Sequence, residues 1–365
     1  METENISPRN IRCLLILMVM CGSLVNGAFT VMQDTWIAVL LMGVLFFPML
    51  LIYSRLCALL PGKNLYEMMT ALFGQAGSFL MILLMSLYAS VVTALQLRNF
   101  TEFTVVIALQ NTPAIPIMII LILPVLYLAK QGLQVLGRWS LIICAVLVIH
   151  IVLTILFALN VIELSHILPV MDHPFSDIAS NAFIIGSIAV GETVMAMIMM
   201  GHLKKGESPY GVYLPGVLMG VVLFALIILR NICILGPDME QAAKFSTYMA
   251  VRIIDVGSFF ERIESSISFI YVLLGITKMT LFISAAAMGS ARLLKVSDYK
   301  RLLLPVGLLV LAVSALVFNN VFEMYELTRI YRYFALSFQI LIPAVIWIAA
   351  EIKIRNQRPA ATKSL

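Results

Sequence analysis

Apolar residues run almost unbroken along this chain, and the interruptions are short clusters of Pro, Gly, Asn and charged residues. Runs of about 18 residues or more read as spanning helices, because a helix needs about 20 residues at 1.5 Å each to cross the hydrocarbon. The pattern predicts ten spans, near 11–32, 36–58, 76–109, 115–129, 139–160, 177–201, 211–235, 259–291, 302–320 and 330–350. The fold class expected is an all-α integral membrane protein. The longest connection, about 237–258, is too short for an independent core, so residues 1–365 form a single transmembrane domain. Its segment AAKFSTYMAVRIIDV is amphipathic and is expected to lie along the outer surface as a short helix.

Composition agrees: 62% of the residues are hydrophobic, 12% are charged and the mean hydropathy is +1.03. Soluble domains carry roughly one-quarter charged residues. The net charge of +5 acts as a topology signal. With a cytoplasmic N-terminus and ten spans, 16 of the 24 basic residues fall inside, among them Arg9, Arg12, Lys63, Lys130, Lys204, Lys300 and Lys353. Only Lys244, Arg252, Arg329 and Arg332 fall outside, so the positive-inside rule places both termini in the cytoplasm. Arg9 and Arg12 open the first span, but Glu2 and Glu4 precede it and no small-residue cleavage site follows, so it reads as retained.

Two spans share a motif. Gly22-Ser23-Leu24-Val25-Asn26-Gly27 and Gly186-Ser187-Ile188-Ala189-Val190-Gly191 both read GSxxxG, 164 positions apart. A single copy is as readily a close helix-packing stripe, because small residues let backbones approach in lipid. Two copies, at corresponding places in two five-span halves of opposite direction, predict a 5+5 inverted repeat. The first half covers about 11–160 and the second about 177–320, with helix 10 at 330–350 following. In such folds paired glycine-interrupted helices point to a midplane binding site. Unwound backbone must line a cavity, since unmet amides and carbonyls are costly in lipid. Half-helix ends offer opposite partial charges, which suit a small zwitterion. The substrate-binding candidates are therefore Gly22, Ser23, Asn26, Gly27, Gly186, Ser187 and Gly191. Tyr88, mid-span on the third helix, is either packing or a phenol that closes over the ligand.

Short segments in order along the chain then carry a resemblance: Asp34-Thr35-Trp36-Ile37, Leu65-Tyr66-Glu67-Met68, Leu97-Arg98-Asn99-Phe100-Thr101-Glu102, Gly132 with Arg138, Leu168-Pro169-Val170, Gly191-Glu192 and Phe260-Glu261-Arg262-Ile263-Glu264-Ser265. The chain resembles the B subunits of spore germinant receptors of endospore-forming bacteria, the endospore germination permease branch of the amino acid/polyamine/organocation transporter superfamily. It departs in lacking a proline after Gly27 and in carrying Lys278 where a small polar residue is expected. The resemblance implies a leucine-transporter-like core with discontinuous helices 1 and 6. It also implies a nutrient-sensing subunit of the spore inner membrane, working with a receptor A subunit and a lipoprotein C subunit on a small neutral amino acid. A secondary amino acid transporter, coupled to protons or to no ion, is the alternative.

Charges inside spans are expensive and are functional candidates by default. Arg98 and Glu102, four apart, can neutralise each other as an intramembrane ion pair or contact ligand. Glu192, directly after the second glycine break, is a candidate gate, proton carrier or ammonium partner. Lys278 has no opposite charge on its own helix. Its ammonium either replaces a coupling cation or pairs with another helix. Glu261, Arg262 and Glu264 read as outer-mouth charges where the interface makes charge cheap.

Enzyme chemistry has no support: there is no phosphate loop and no nucleophile motif, and the four histidines are scattered. The five cysteines all lie in predicted spans without a CxxC pair, so no disulfide, metal or other cofactor is expected. The basic residues follow topology rather than one face, so no nucleic-acid partner is expected.

Overall fold

In hydrocarbon every backbone amide must be paired inside its own segment, and for single apolar runs of this length the helix is the solution. A computed structural model describes residues 5–23, 30–204, 206–254, 263–318 and 320–357, and apart from one bridge between Ile6 and Leu203 these residues are helical or connecting. The helices are α1 (Pro8–Met20), α2 (Thr35–Leu45), α3 (Phe47–Leu59), α4 (Leu65–Ile107), α5 (Ala114–Gln131), α6 (Leu133–Phe157) and α7 (Phe175–Ala189). They continue as α8 (Met197–Met200), α9 (Tyr210–Leu235), α10 (Pro237–Ala242), α11 (Ser246–Ile253), α12 (Ile263–Leu293), α13 (Leu303–Ser314), α14 (Val321–Leu336) and α15 (Ile342–Gln357).

Among the described residues eight helical segments are long and apolar enough to cross a membrane. Two of the ten expected spans fall short of that length as α-helix: α1 has 13 residues and α13 has 12. In the expected span 11–32 the α-helix ends at Met20 and a tight turn covers 21–23, and residues 24–29 lie outside those described.

Other boundaries move for local reasons. The third span begins at Leu65, well before 76, because Asn64 and Glu67 form a reciprocal capping box that starts the helix among polar residues. The helix bends at Gly74, whose φ of 71° only glycine adopts cheaply. The last span begins at Val321 rather than 330, with Asn320 capping the amides of Phe322 and Glu323, and Glu323, Glu326 and Arg329 interrupt its apolar pattern. The connection after α9 folds as α10 and α11. The apolar face of α11, with Ala250 and Val251 buried, docks on α9 and α12.

Burial orders the bundle. In the most apolar stretch of Phe175–Met200, 94% is buried, and in Ser265–Leu293 72%, against 39% in Ala114–Gln131 and Leu133–Phe157. The first two therefore form the centre, and α5 and α6 turn side chains such as Ile120 and Ile142 outward. The packing follows a regular scheme: α1 lies on α9 and α6, α7 on α2 and α14, α12 on α4 and α5, and α4 also on α13.

Candidate functional site

The site is built around the break in the Phe175–Met200 segment. α-Helical pairing ends at Ala189, a 3₁₀ turn covers Gly191–Ala196, and α8 resumes at Met197. The break thus begins at the C-terminal end of the GSxxxG motif, while Gly186 and Ser187 remain helical. The carbonyls it frees do not stay open. Ser187 O accepts from Gln339 Nε2 at 2.7 Å, Ile188 O from Lys278 Nζ at 3.2 Å and Gly191 O from Tyr53 Oη at 3.4 Å. Lipid offers no substitute partner, so side chains from three other helices satisfy the unwound backbone.

Lys278 and Glu192 pair across helices, Nζ to Oε2 at 2.7 Å, with side chains 1% and 3% exposed. Lys278 thereby finds on another helix the partner it lacks on its own. Tyr331 donates to Glu192 Oε1 at 2.7 Å, and Tyr88 Oη lies 2.9 Å from Tyr331 Oη. Gln339 Nε2 also donates to Tyr88 Oη at 2.8 Å, closing a network from the break through α14 to α4. Tyr88 stacks on Phe338 with ring centroids 4.7 Å apart. Gln339 reaches inward from a π-helical turn, Ser337–Leu341, between α14 and α15; such single turns recur at functional sites.

The two motifs meet. A Cβ built on Gly22 would lie 2.9 Å from the Cβ of Ala189, so the end of α1 crosses the α7 break at that glycine. Ser23 donates to Met20 O at 2.8 Å and lies 3.2 Å from Tyr271 Oη. Cys21 Sγ is 3.8 Å from Gln96 Oε1. Gly186 and Gly191 make room for side chains rather than open space. A Cβ on Gly186 would strike the Phe46 ring, and one on Gly191 the Gln339 carboxamide. Ser187 turns its hydroxyl back to Ile184 O at 2.8 Å.

Ile188, Glu192, Gln96, Asn99, Thr328 and Tyr331 border a cavity of about 30 Å³. That holds about two waters and not an amino acid.

Arg98 and Glu102 form the expected ion pair at 2.5 Å, and Arg98 Nε also donates to Phe318 O at 3.0 Å while the guanidinium lies over the Phe318 ring. That pair stands beside the cavity wall, apart from the break. Asn26, Gly27, Glu261 and Arg262, and the side chain of Glu264, lie outside the described residues. Sequence reasoning missed Tyr331, Gln339 and Tyr53. Gln339, a lone amide in an otherwise apolar stretch, was the one detectable signal among them.

Outside the spanning helices, Glu240 of α10 is 5% exposed, and burial pushes its carboxyl up to about 7, opposed by a hydrogen bond from Ser246.

Comparisons with known proteins agree with this architecture. The profile of a family described as "Spore germination protein" matches residues 5–322. Spore germination protein KB of Bacillus subtilis (strain 168) is 24% identical over 356 residues, 96% of this chain and 95% of that protein. The putative spore germination protein YfkT of the same organism is 24% identical over 324 residues, 88% of each. Among solved structures, Mhp1, a nucleobase-cation-symport-1 family transporter in a closed conformation with bromovinylhydantoin bound, superposes with a TM-score of 0.69 at 13% identity, covering 94% of this chain and 78% of that one. At that identity the likeness is one of fold.

Proposed function

We propose that this chain, which belongs to the spore germination protein family matched over residues 5–322, is the nutrient-sensing membrane subunit of a germinant receptor. In this reading a small neutral amino acid binds where the end of α1 meets the α7 break. One observation carries it: the end of α1 meets the α7 break at Gly22 and Ala189, with a fully buried Glu192–Lys278 pair beside the contact. Such a pair is costly to bury and adds little net stability over apolar packing, so its place at a backbone break points to use.

The packing scheme supports a ten-helix, 5+5 inverted arrangement. Number the spans with α2–α3, α7–α8 and α14–α15 each as one, and exchange each span of the first half with its counterpart in the second. The α1–α9 contact then becomes α7–α2, α1–α6 becomes α7–α14, and α5–α12 becomes α13–α4; all six are made. With both termini cytoplasmic, the ligand enters from the side of α10 and α11.

Lys278 acts as a built-in cation at the break, and Gln339 as a built-in amide donor. A ligand ammonium takes over the carbonyls of Ser187 and Ile188 that these two hold. The exchange gives the ligand its differential affinity for an open state, without which it could shift no equilibrium. The receptor A subunit and the lipoprotein C subunit in the spore inner membrane read that shift.

The fold shared with Mhp1 favours a second reading of the same site, a secondary amino acid transporter. Reconstituting the purified chain with a panel of labelled neutral amino acids separates the two. Binding without counterflow supports the sensor, counterflow by the chain alone supports the transporter, and absence of binding across the panel refutes both.

A further inference from the structure

Arg230, in α9, is 4% exposed and stands in a span. Nη1 donates to Thr154 Oγ1 of α6 and Nη2 to Asn231 Oδ1, each at 2.7 Å, and Asn231 is itself held by Thr247 Oγ1 of α11 at 2.8 Å. Nε is buried without a partner. Every partner is neutral, and among the described residues no carboxylate pairs with this guanidinium. The contrast within the protein is Arg98, which has Glu102 at 2.5 Å. A buried cation without a counter-charge costs several kcal/mol.

Arg230 borders a small cavity of about 10 Å³ with Ser23, His150 and Tyr271, and among the described residues no acidic side chain lines it. His150 is 8% exposed; its Nδ1 lies 3.4 Å from Ser266 Oγ, and its Nε2, too, is buried without a partner. Two side chains with orphaned nitrogens therefore border one cavity, and Ser23, which also borders it, follows the Gly22 that touches the α7 break. The cavity adjoins the site proposed above.

We infer that Arg230, with His150, is a receptor for a single carboxylate, the carboxylate of the ligand. This rests on the reading of an amino acid bound at the α1–α7 contact. One positive charge and an opening the size of about one oxygen select a monoanion over a phosphate. Nε of Arg230 donates to a carboxylate oxygen, and Nε2 of His150 donates to the second in the tautomer that carries its proton there. Full entry of the group goes with opening of the bundle.

The test uses the full chain purified into lipid nanodiscs in chloride-free buffer, followed by its melting temperature. Sodium propionate, sodium chloride and a panel of neutral amino acids are titrated against wild type, Arg230→Gln, Arg230→Lys and His150→Gln. Propionate and a responding amino acid are expected to raise the melting temperature saturably. Arg230→Gln should weaken both at least tenfold while leaving the unliganded protein as stable or more so, because it removes an unpaired buried charge. Arg230→Lys should be intermediate, and His150→Gln, a milder variant, should weaken both less. Amino acid affinity unchanged in Arg230→Gln overturns the assignment and leaves the α1–α7 site standing. An Arg230-dependent propionate response without any amino acid response supports the carboxylate receptor and overturns the amino acid reading. A response to chloride with none to propionate overturns the assignment in favour of a halide site. A lower unliganded melting temperature with unchanged affinity marks a structural arginine and overturns it as well.

Discussion

Replacing Lys278 with methionine removes the counter-charge of Glu192 while keeping an unbranched side chain of similar length. Glu192 is 2% exposed and is left with the Tyr331 hydroxyl, 2.7 Å from Oε1, and Ile188 O loses its donor. Leaving one member of a buried pair uncompensated costs about 3–5 kcal/mol, whereas replacing both with neutral groups is often neutral or stabilising. Lys278→Met alone should therefore lower stability by about 3 kcal/mol or more. Glu192→Gln with Lys278→Met should recover most of it, because the carboxamide can still accept from Tyr331. The coupling between the two positions, read from a double-mutant cycle, is then at least about 2 kcal/mol, above the scatter expected for independent sites. Equilibrium unfolding of wild type, both single variants and the double variant in one detergent gives the four numbers. If Glu192→Gln changes stability by the same amount in wild type and in Lys278→Met, the two charges are not coupled, and the picture of an ion pair bracing the break is wrong.

At Gly191 any added side chain meets Gln339, so Gly191→Leu should abolish the ligand response while membrane insertion persists; an unchanged dose response would move the site elsewhere. Glu240 offers a pH test outside the spans. Its folded value, raised from 4.5 to about 7, means that the native state keeps a proton the unfolded state gives up. Its contribution is complete below about 4.5 and is lost as pH rises through 7, at most about 3 kcal/mol at 1.36 kcal/mol per unit. Amide exchange of α10 and α11, corrected for intrinsic rates, should accordingly be slower at pH 5.5 than at pH 8, and Glu240→Gln should flatten the difference. Reporter fusions at Lys63, Lys204 and Lys300 should read cytoplasm and those at Asp172 and Lys244 the outside; one reproducible reversal would remove the inverted arrangement.

What could be read in the sequence divides along a physical line. Long apolar runs announced the membrane helices, because transfer into hydrocarbon depends on composition and hardly on tertiary context. Helix ends set by polar residues were hidden: the capping box at Asn64 and Glu67 starts α4 among residues that hydropathy discounts. Isolated charges at Glu192 and Lys278 declared a need for partners, yet 86 positions separate them, and nothing local says that each satisfies the other. Duplicated glycines located the crossing of α1 and α7, but a missing Cβ admits a ligand and a packed side chain equally. At Gly186 and Gly191 the occupants are Phe46 and Gln339, which sequence reasoning had not connected with either glycine. Arg230 was visible only as a charge to be placed by topology. Its meaning comes from Thr154, Asn231 and His150, which three-dimensional packing brings to it.

The same packing suggests how binding would be felt at a distance. Each donor that holds the broken strand of backbone comes from a different helix: Lys278 from α12, Gln339 from the π-turn joining α14 to α15, and Tyr53 from α3, which also donates to Gln339 O at 2.6 Å. A ligand that takes the carbonyls of Ser187 and Ile188 must release Lys278 and the Gln339 carboxamide together, and that carboxamide cannot leave without breaking its bond to Tyr88. To carry the population from about 1% open to 99% open, the ligand needs about 5.5 kcal/mol of preference for the open form. One ammonium exchanging with Lys278 and Gln339 is nearly balanced in hydrogen bonds and cannot supply that alone. The surplus has to come from contacts that exist only in the open form, and among the described residues the unpaired cation at Arg230 is such a reserve: a charge held without a partner in the closed state and given one by the ligand. Restoring a counter-charge inside the closed protein, with Thr154→Asp beside the guanidinium, should therefore stabilise the unliganded form and lower ligand affinity in step. Stabilisation with affinity unchanged would mean that Arg230 does not drive the transition.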